Sequence, residues 1–188
     1  MNLMTHDDFT ALLQGPHRAY YKGRWEYFSL VLEIIEQIQP ERVLEIGPGW
    51  LPVVKDADLM LAPDEDQFGR PDFSGGKLIF HDATVKPWPF KDNAYDLVVA
   101  LNVFEHLDNK QSRAFRQTMR VARAAILSVP HGWTGGKAKW MHRIHRDIDR
   151  ELVADWTLGV QPRRVVEIPR VGKKFAQGPR LVYYWKFE

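Results

Sequence analysis

The sequence has no cysteine, and that absence excludes disulfide scaffolds, zinc ribbons, iron–sulfur clusters and thiol catalysis. It has no apolar run near the ~20 residues that span a bilayer; the longest, such as Leu97–Leu101, are strand-sized. The first residues, Met1 to Asp8, are acidic and lack the basic-then-apolar order of a secretory signal. Internal repeats, low-complexity tracts and linkers are also missing. Together these absences point to a soluble cytoplasmic protein with no membrane partner. At 188 residues the chain fits one domain, since chains divide only beyond roughly 250 residues. We expect a helical cap over 1–40 and a sheet with its helices over 41–188.

Charge of one sign is scarce in each half. Residues 1–100 carry 9 basic and 16 acidic side chains, and residues 101–188 carry 17 and 8, for a net charge of +2. A basic half can mark a face for nucleic acid or an anionic substrate. Here the cations are spread out and often sit beside acids, as in Arg146-Asp147 and Arg150-Glu151. Solvated helix faces account for that pattern better, which argues against a nucleic-acid partner.

Trp25, Phe28, Leu30, Val31, Ile34, Ile35 and Ile38 recur at three- and four-residue steps, as one buried helix face requires. Pro40 closes that helix. Strands follow at Arg42–Ile46, Ala57–Leu61, Lys77–Phe80, Tyr95–Leu101 and Ala124–Val129, the last stopped by Pro130. Residues 110–121 read as a surface helix, Ile148–Trp156 as a short one, and Arg164–Ile168 and Arg180–Lys186 as a terminal strand pair. Near-continuous apolar strands suit a sheet buried on both faces. The expected fold is a three-layer α/β, doubly wound, mostly parallel seven-stranded sheet with a terminal antiparallel strand. In such sheets ligands sit at the carboxyl ends of the strands, where strand order reverses.

Val43-Leu-Glu-Ile-Gly-Pro-Gly49 carries the sharpest signal. A strand ending in Gly-x-Gly makes a tight turn whose backbone a ligand can approach closely, so Gly47 and Gly49 are candidate binding residues. Glu45 lies on a strand expected to be buried, where an unpaired carboxylate is costly. It needs a fixed partner, either a ligand group or nearby backbone amides.

The passage resembles the first motif of class I S-adenosylmethionine-dependent methyltransferases of the type 11 kind. Asp82-Ala83 resembles that family's acid-plus-small pair that binds the adenine amino group. Trp88-Pro-Phe-Lys-Asp-Asn-Ala-Tyr-Asp-Leu-Val98 resembles the passage into strand four. Leu101-Asn-Val-Phe-Glu-His-Leu107, with Asn102, resembles the segment along the methionine part of the cofactor. The resemblance covers about residues 40–130 and implies the Rossmann-like fold, S-adenosyl-L-methionine as cofactor, and a transferase. Two features depart from it. Seven residues, Trp50–Asp56, separate Gly49 from the second strand, room for at most two helical turns. The ribose-binding acid expected after strand two is replaced by Ala62-Pro63, with Asp64 or Asp66 in its place and Asp64 carrying more weight.

Arg24, in Tyr20-Tyr-Lys-Gly-Arg-Trp-Glu-Tyr27, is a candidate for the cofactor carboxylate or the acceptor, since guanidinium binds carboxylate in a bidentate fork; a solvated helix-start arginine is the plainer alternative. Where an acceptor keeps its proton, a general base is needed, and histidine suits neutral pH. His131 and His106 lie beyond strands five and four, and His145, with His142, in the stretch between them and the next helix. Each has a structural alternative, His106 within a Glu-His-Leu pattern especially. A metal site from His142, His145 and Asp147 is a weak case. Trp133 and Trp140 around Gly135-Gly136 suggest a lid or plain core packing. The leading expectation is methyl transfer to a small-molecule or carbohydrate-type acceptor, in a pocket between the strand-four loop, residues 131–146 and the N-terminal helix. The alternative is a non-catalytic binding or regulatory protein of the same fold, with RNA binding a distant third. Nothing in the sequence indicates the oligomeric state.

Overall fold

The computed structural model describes residues 1–63, 75–132, 148–169 and 178–187. In chain order its elements are α1 (His6–Leu12), α2 (Arg18–Tyr21), α3 (Trp25–Ile38), β1 (Val43–Ile46), β2 (Asp58–Leu61), β3 (Leu78–Phe80), β4 (Leu97–Leu101), α4 (Gln111–Val121), β5 (Ala124–Pro130), α5 (Arg150–Trp156), β6 (Arg164–Ile168) and β7 (Arg180–Lys186). Among the described residues the strands form one seven-stranded sheet in the order β3-β2-β1-β4-β5-β7-β6. The first five run parallel; β7 runs antiparallel to both β5 and β6. The order reverses between β1 and β4, which opens the ligand crevice of a doubly wound sheet there.

Alternation along each strand splits the core in two. Leu44, Ile46, Val98, Ala100, Ala125, Leu127 and Trp185 face the α4 side. Val43, Leu59, Leu97, Val99, Ile126 and Val182 face α3. The central strands are therefore apolar throughout because both of their faces are covered. Helix α3 ends at Ile38 because Gln39 turns left-handed at φ +50° and Pro40 follows. Phe115 anchors α4, edge-on to Trp185 at 5.3 Å.

Several expected boundaries move by one or two residues, and two of these shifts have a local cause. β5 runs through Pro130, paired with Arg180, because a proline is tolerated where the strand needs no further amide. The helix expected from Ile148 starts at Arg150, where Asp149 caps it by accepting from the Leu152 N–H at 2.7 Å.

The departure at the first crossover is complete: residues 50–57 contain no helix. The N-terminal segment braces them instead. Leu3 bridges Val54, the Met4 amide donates to the Val53 carbonyl at 2.9 Å, and Lys55 pairs with Asp8 at 2.7 Å. Asp8 and Thr5 form a reciprocal cap at the start of α1, which fixes the carboxylate that Lys55 meets.

Candidate functional site

At the carboxyl end of β1 the chain turns through two left-handed glycines, Gly47 at φ +57° and Gly49 at φ +69°. A Cβ at Gly47 would come within 3.0 Å of Val103 Cγ2, and one at Gly49 within 3.2 Å of the Tyr21 hydroxyl. The left-handed φ favours glycine at both positions, and the neighbouring side chains leave little room for a Cβ. Tyr21, buried, accepts a hydrogen bond from the Trp50 N–H at 3.1 Å, and His17 stacks on Trp50 with ring centroids 3.6 Å apart. Burial holds the Tyr21 hydroxyl neutral, its pKa pushed up to about 12.

Of the two partners left open for Glu45, the structure has backbone amides. Its carboxylate is 1% exposed and accepts from Val53 N–H at 2.9 Å and, more weakly, Val54 N–H at 3.4 Å. Burial outweighs these bonds and pushes its pKa up to about 8. Glu45 thus shapes the turn by holding residues 53–54 under it.

Beyond β2 lie Ala62 and Pro63, neither with a side chain able to hold a ribose hydroxyl; Asp64 and Asp66 fall outside the described residues. Beyond β3, Asp82 Oδ1 accepts from the Thr84 N–H at 2.8 Å. Its Oδ2 has no hydrogen bond among the described residues. The Ala83 carbonyl accepts from Trp88 Nε1 at 3.1 Å, so a buried tryptophan holds this loop still.

At the ends of β4 and β5 a polar cluster closes the other side. Asn102, left-handed at φ +55°, donates its amide to the Ser128 carbonyl at 3.0 Å and to Ser128 Oγ at 3.2 Å. Its Nδ2 reaches the Tyr27 hydroxyl at 3.4 Å, and that hydroxyl sits 2.6 Å from Ser128 Oγ. The Arg180 guanidinium lies 5.1 Å from the Tyr27 ring centroid. Arg24 stacks over Tyr20 at 3.7 Å, with no acid within ion-pair distance among the described residues. Tyr27 and Ser128 are separated by 101 positions, and nothing local in the sequence marked them.

His106 follows β4 on a single 3₁₀ turn, Phe104–His106. Burial lowers its pKa, and its Nε2 lies 4.0 Å from Glu105 Oε1. His131 follows β5; its amide donates to the Pro179 carbonyl at 2.8 Å, and its buried Nδ1 has no hydrogen-bond partner among the described residues. His142 and His145, with Trp133 and Trp140, fall outside the described residues. Among the described residues no group of three or more His, Asp or Glu is placed to hold a metal, and no helix is long and apolar enough to cross a membrane.

The structure therefore brings Gly47, Gly49 and Asn102 together at the switch point, with Arg24 on the overlying cap, Asp82 and Ala83 two strands to one side, and His106 and His131 on the other. A groove of about 670 Å³ lies elsewhere, lined by Ile38, Arg123, Arg164 and Lys186. It opens at the amino ends of the strands, away from the glycine turn. The carboxyl edge has the convergent polar groups beside the glycine turn and the switch point, which makes it the candidate site.

Residues 56–125 match the family model described as a methyltransferase domain. No curated protein matches the sequence. Among solved structures, a possible histamine N-methyltransferase from Thermotoga maritima superposes with a TM-score of 0.64 at 16% identity, covering 96% of this chain and 98% of that one. A SAM-dependent methyltransferase from Methanosarcina mazei gives 0.59 at 12% identity, covering 82% and 98%. The N-terminal domain of EvdMO1, solved with S-adenosylhomocysteine bound, gives 0.60 at 12% identity, covering 86% and 81%. Identities this low speak for the fold alone. Fold and family match agree on one class: the chain has the architecture of the class I S-adenosylmethionine-dependent methyltransferases. The cofactor of that class is S-adenosylmethionine.

Proposed function

We propose that the protein transfers a methyl group from S-adenosylmethionine to a small-molecule or carbohydrate-type acceptor. The observation that carries this reading is the pair of left-handed glycines at the β1/β4 switch point, flanked by Asp82 on one side and Asn102 on the other. When bound, the cofactor supplies the reactive methyl carbon and its activating positive charge.

The chain's own residues then bind, orient and handle a proton. Gly47 and Gly49 make the tight left-handed turn that brings the backbone at the end of β1 to the ligand. Asp82 Oδ2 accepts from the adenine amino group, and Ala83 leaves room for the ring. Arg24 takes the amino-acid carboxylate as a guanidinium fork, and Asn102 borders the same end. Asp64 takes the ribose. Glu45 acts at one remove, by pinning residues 53–54. Where the acceptor keeps its proton, His131 is the base, with His106 and His145 the other candidates. A base must be neutral to accept a proton, and burial keeps His106 so.

Titration with S-adenosylhomocysteine tests the reading. Saturable binding is expected; a folded protein that fails to bind at millimolar concentrations refutes it. One observation favours a second reading, a non-catalytic binding protein: the Tyr21 hydroxyl already approaches Gly49 and engages Trp50, so the N-terminal cap sits tight on the turn. Under that reading the protein binds the cofactor product without consuming S-adenosylmethionine in the presence of any acceptor.

A further inference from the structure

The groove at the amino ends of the strands has no part in the function above. It lies between the last turns of α3 and the sheet, where Ile38 and Tyr184, both half-buried, and the buried Pro40 and Ala124 make an apolar floor. Its volume of about 670 Å³ falls within the roughly 300–1,000 Å³ of small-ligand sites. Around that floor stand four cations, Arg123, Arg163, Arg164 and Lys186, against two carboxylates, Asp96 and Glu41. Asp96 is already committed: its Oδ2 accepts from the Glu41 and Arg42 amides at 3.1 and 3.0 Å, and its Oδ1 meets Arg123 at 3.4 Å. Arg164 reaches Glu33 of α3 at 3.7 Å. Arg163 and Lys186, both exposed, have no acid within ion-pair distance among the described residues. The carboxyl end of α3 would ordinarily favour a cation, but Gln39 satisfies two of its last carbonyls. Its amide donates to Ile35 at 3.0 Å and its Nε2 to Glu36 at 2.6 Å.

We propose that this groove is a second ligand site, for a small organic anion with an apolar or aromatic body. An inorganic anion would meet only exposed cations, and an exposed ion pair contributes little against water. A neutral apolar molecule would cover Ile38 and Tyr184 but leave the surplus positive charge unanswered. A ligand with both parts covers the floor and sets its carboxylate or sulfonate beside Arg163 and Lys186, with no existing ion pair broken. The Arg163 amide donates to the Tyr184 carbonyl at 2.8 Å, two residues from Lys186, so both cations stand at the same end of the β6–β7 pair. The site is independent of the cofactor reading, because it lies at the opposite edge of the sheet from Gly47.

Three probes separate the two parts of the ligand: 2-naphthoate, its neutral counterpart 2-naphthamide, and acetate. Titrated into the full chain and followed by amide-resolved NMR, 2-naphthoate is expected to give saturable shifts at Gln39, Ala124 and Tyr184. The neutral amide should bind roughly fivefold more weakly or worse, and acetate should not saturate. The double variant Arg163→Gln, Lys186→Gln changes two exposed side chains and should weaken 2-naphthoate roughly five- to tenfold, with 2-naphthamide unchanged. Equal affinity for the two naphthalenes, or a double variant that binds 2-naphthoate as the wild type does, overturns the proposal. Shifts scattered over the surface, or none at all, overturn it as well. A uridylate oligomer that moves the same amides and displaces 2-naphthoate assigns the groove to a polyanion and refutes the small-ligand site. Displacement by S-adenosylhomocysteine refutes its separateness from the glycine turn.

Discussion

Glu45 makes stability depend on pH in a way opposite to most carboxylates. Burial raises its pKa from 4.5 unfolded to about 8 folded, so the folded state holds a proton that the unfolded state has released across that interval. Its contribution is fully present below pH 4.5 and is lost as pH rises through 8. One bound proton changes stability by about 1.4 kcal/mol per pH unit. Over pH 5 to 8 the loss is then on the order of 3–5 kcal/mol, a large share of a typical domain's stability. Glu45→Gln keeps the shape but cannot titrate. Its carbonyl replaces one acceptor for Val53 N–H, while its NH₂ faces amide donors and costs roughly 1–3 kcal/mol. The variant is thus expected to be less stable than the wild type at pH 5 and to equal or exceed it by pH 8. Urea unfolding of both proteins at half-unit steps measures the difference, and every other titrating group cancels. A wild-type-minus-variant gap that stays constant from pH 5 to 8 refutes the reasoning.

Asp8 shows the opposite sign. Its bond to Lys55 and the Thr5 cap lower its pKa to about 2, so its contribution is present above pH 3.8 and lost as pH falls toward 2. Because the pair is partly exposed, Asp8→Asn should cost under about 1 kcal/mol near neutrality, and acid titration of both proteins should show the gap closing. Gly47→Leu should abolish S-adenosylhomocysteine binding while circular dichroism stays largely unchanged, since the side chain would enter a left-handed residue 3.0 Å from Val103; retained binding contradicts the site. Tyr21→Phe removes the acceptor for Trp50 N–H and should cost about 1 kcal/mol, with faster amide exchange at Trp50; unaltered exchange there tells against the brace. Phe115→Ala, fully buried against Trp185, should lower stability by about 3–5 kcal/mol in the same urea assay.

The strands, the layered architecture and the glycine turn were legible in the chain because their causes are local. A strand covered on both faces must be apolar at every position, as Leu97–Leu101 is, and a left-handed turn in a crowded place admits glycine and little else. The end of α3 was equally plain, since Pro40 forbids its continuation. Glu45 stood out as a buried acid, yet whether a ligand or the backbone satisfied it depended on residues 53–54 folding back beneath it. The brace that replaces the missing crossover helix joins Met4 to Val53, Asp8 to Lys55 and Tyr21 to Trp50, and the Tyr27–Ser128 bond spans 101 positions. Such pairings follow from where the topology delivers distant segments. No periodicity or motif encodes them, because a hydrogen bond between remote residues exists only after the sheet has been assembled around it.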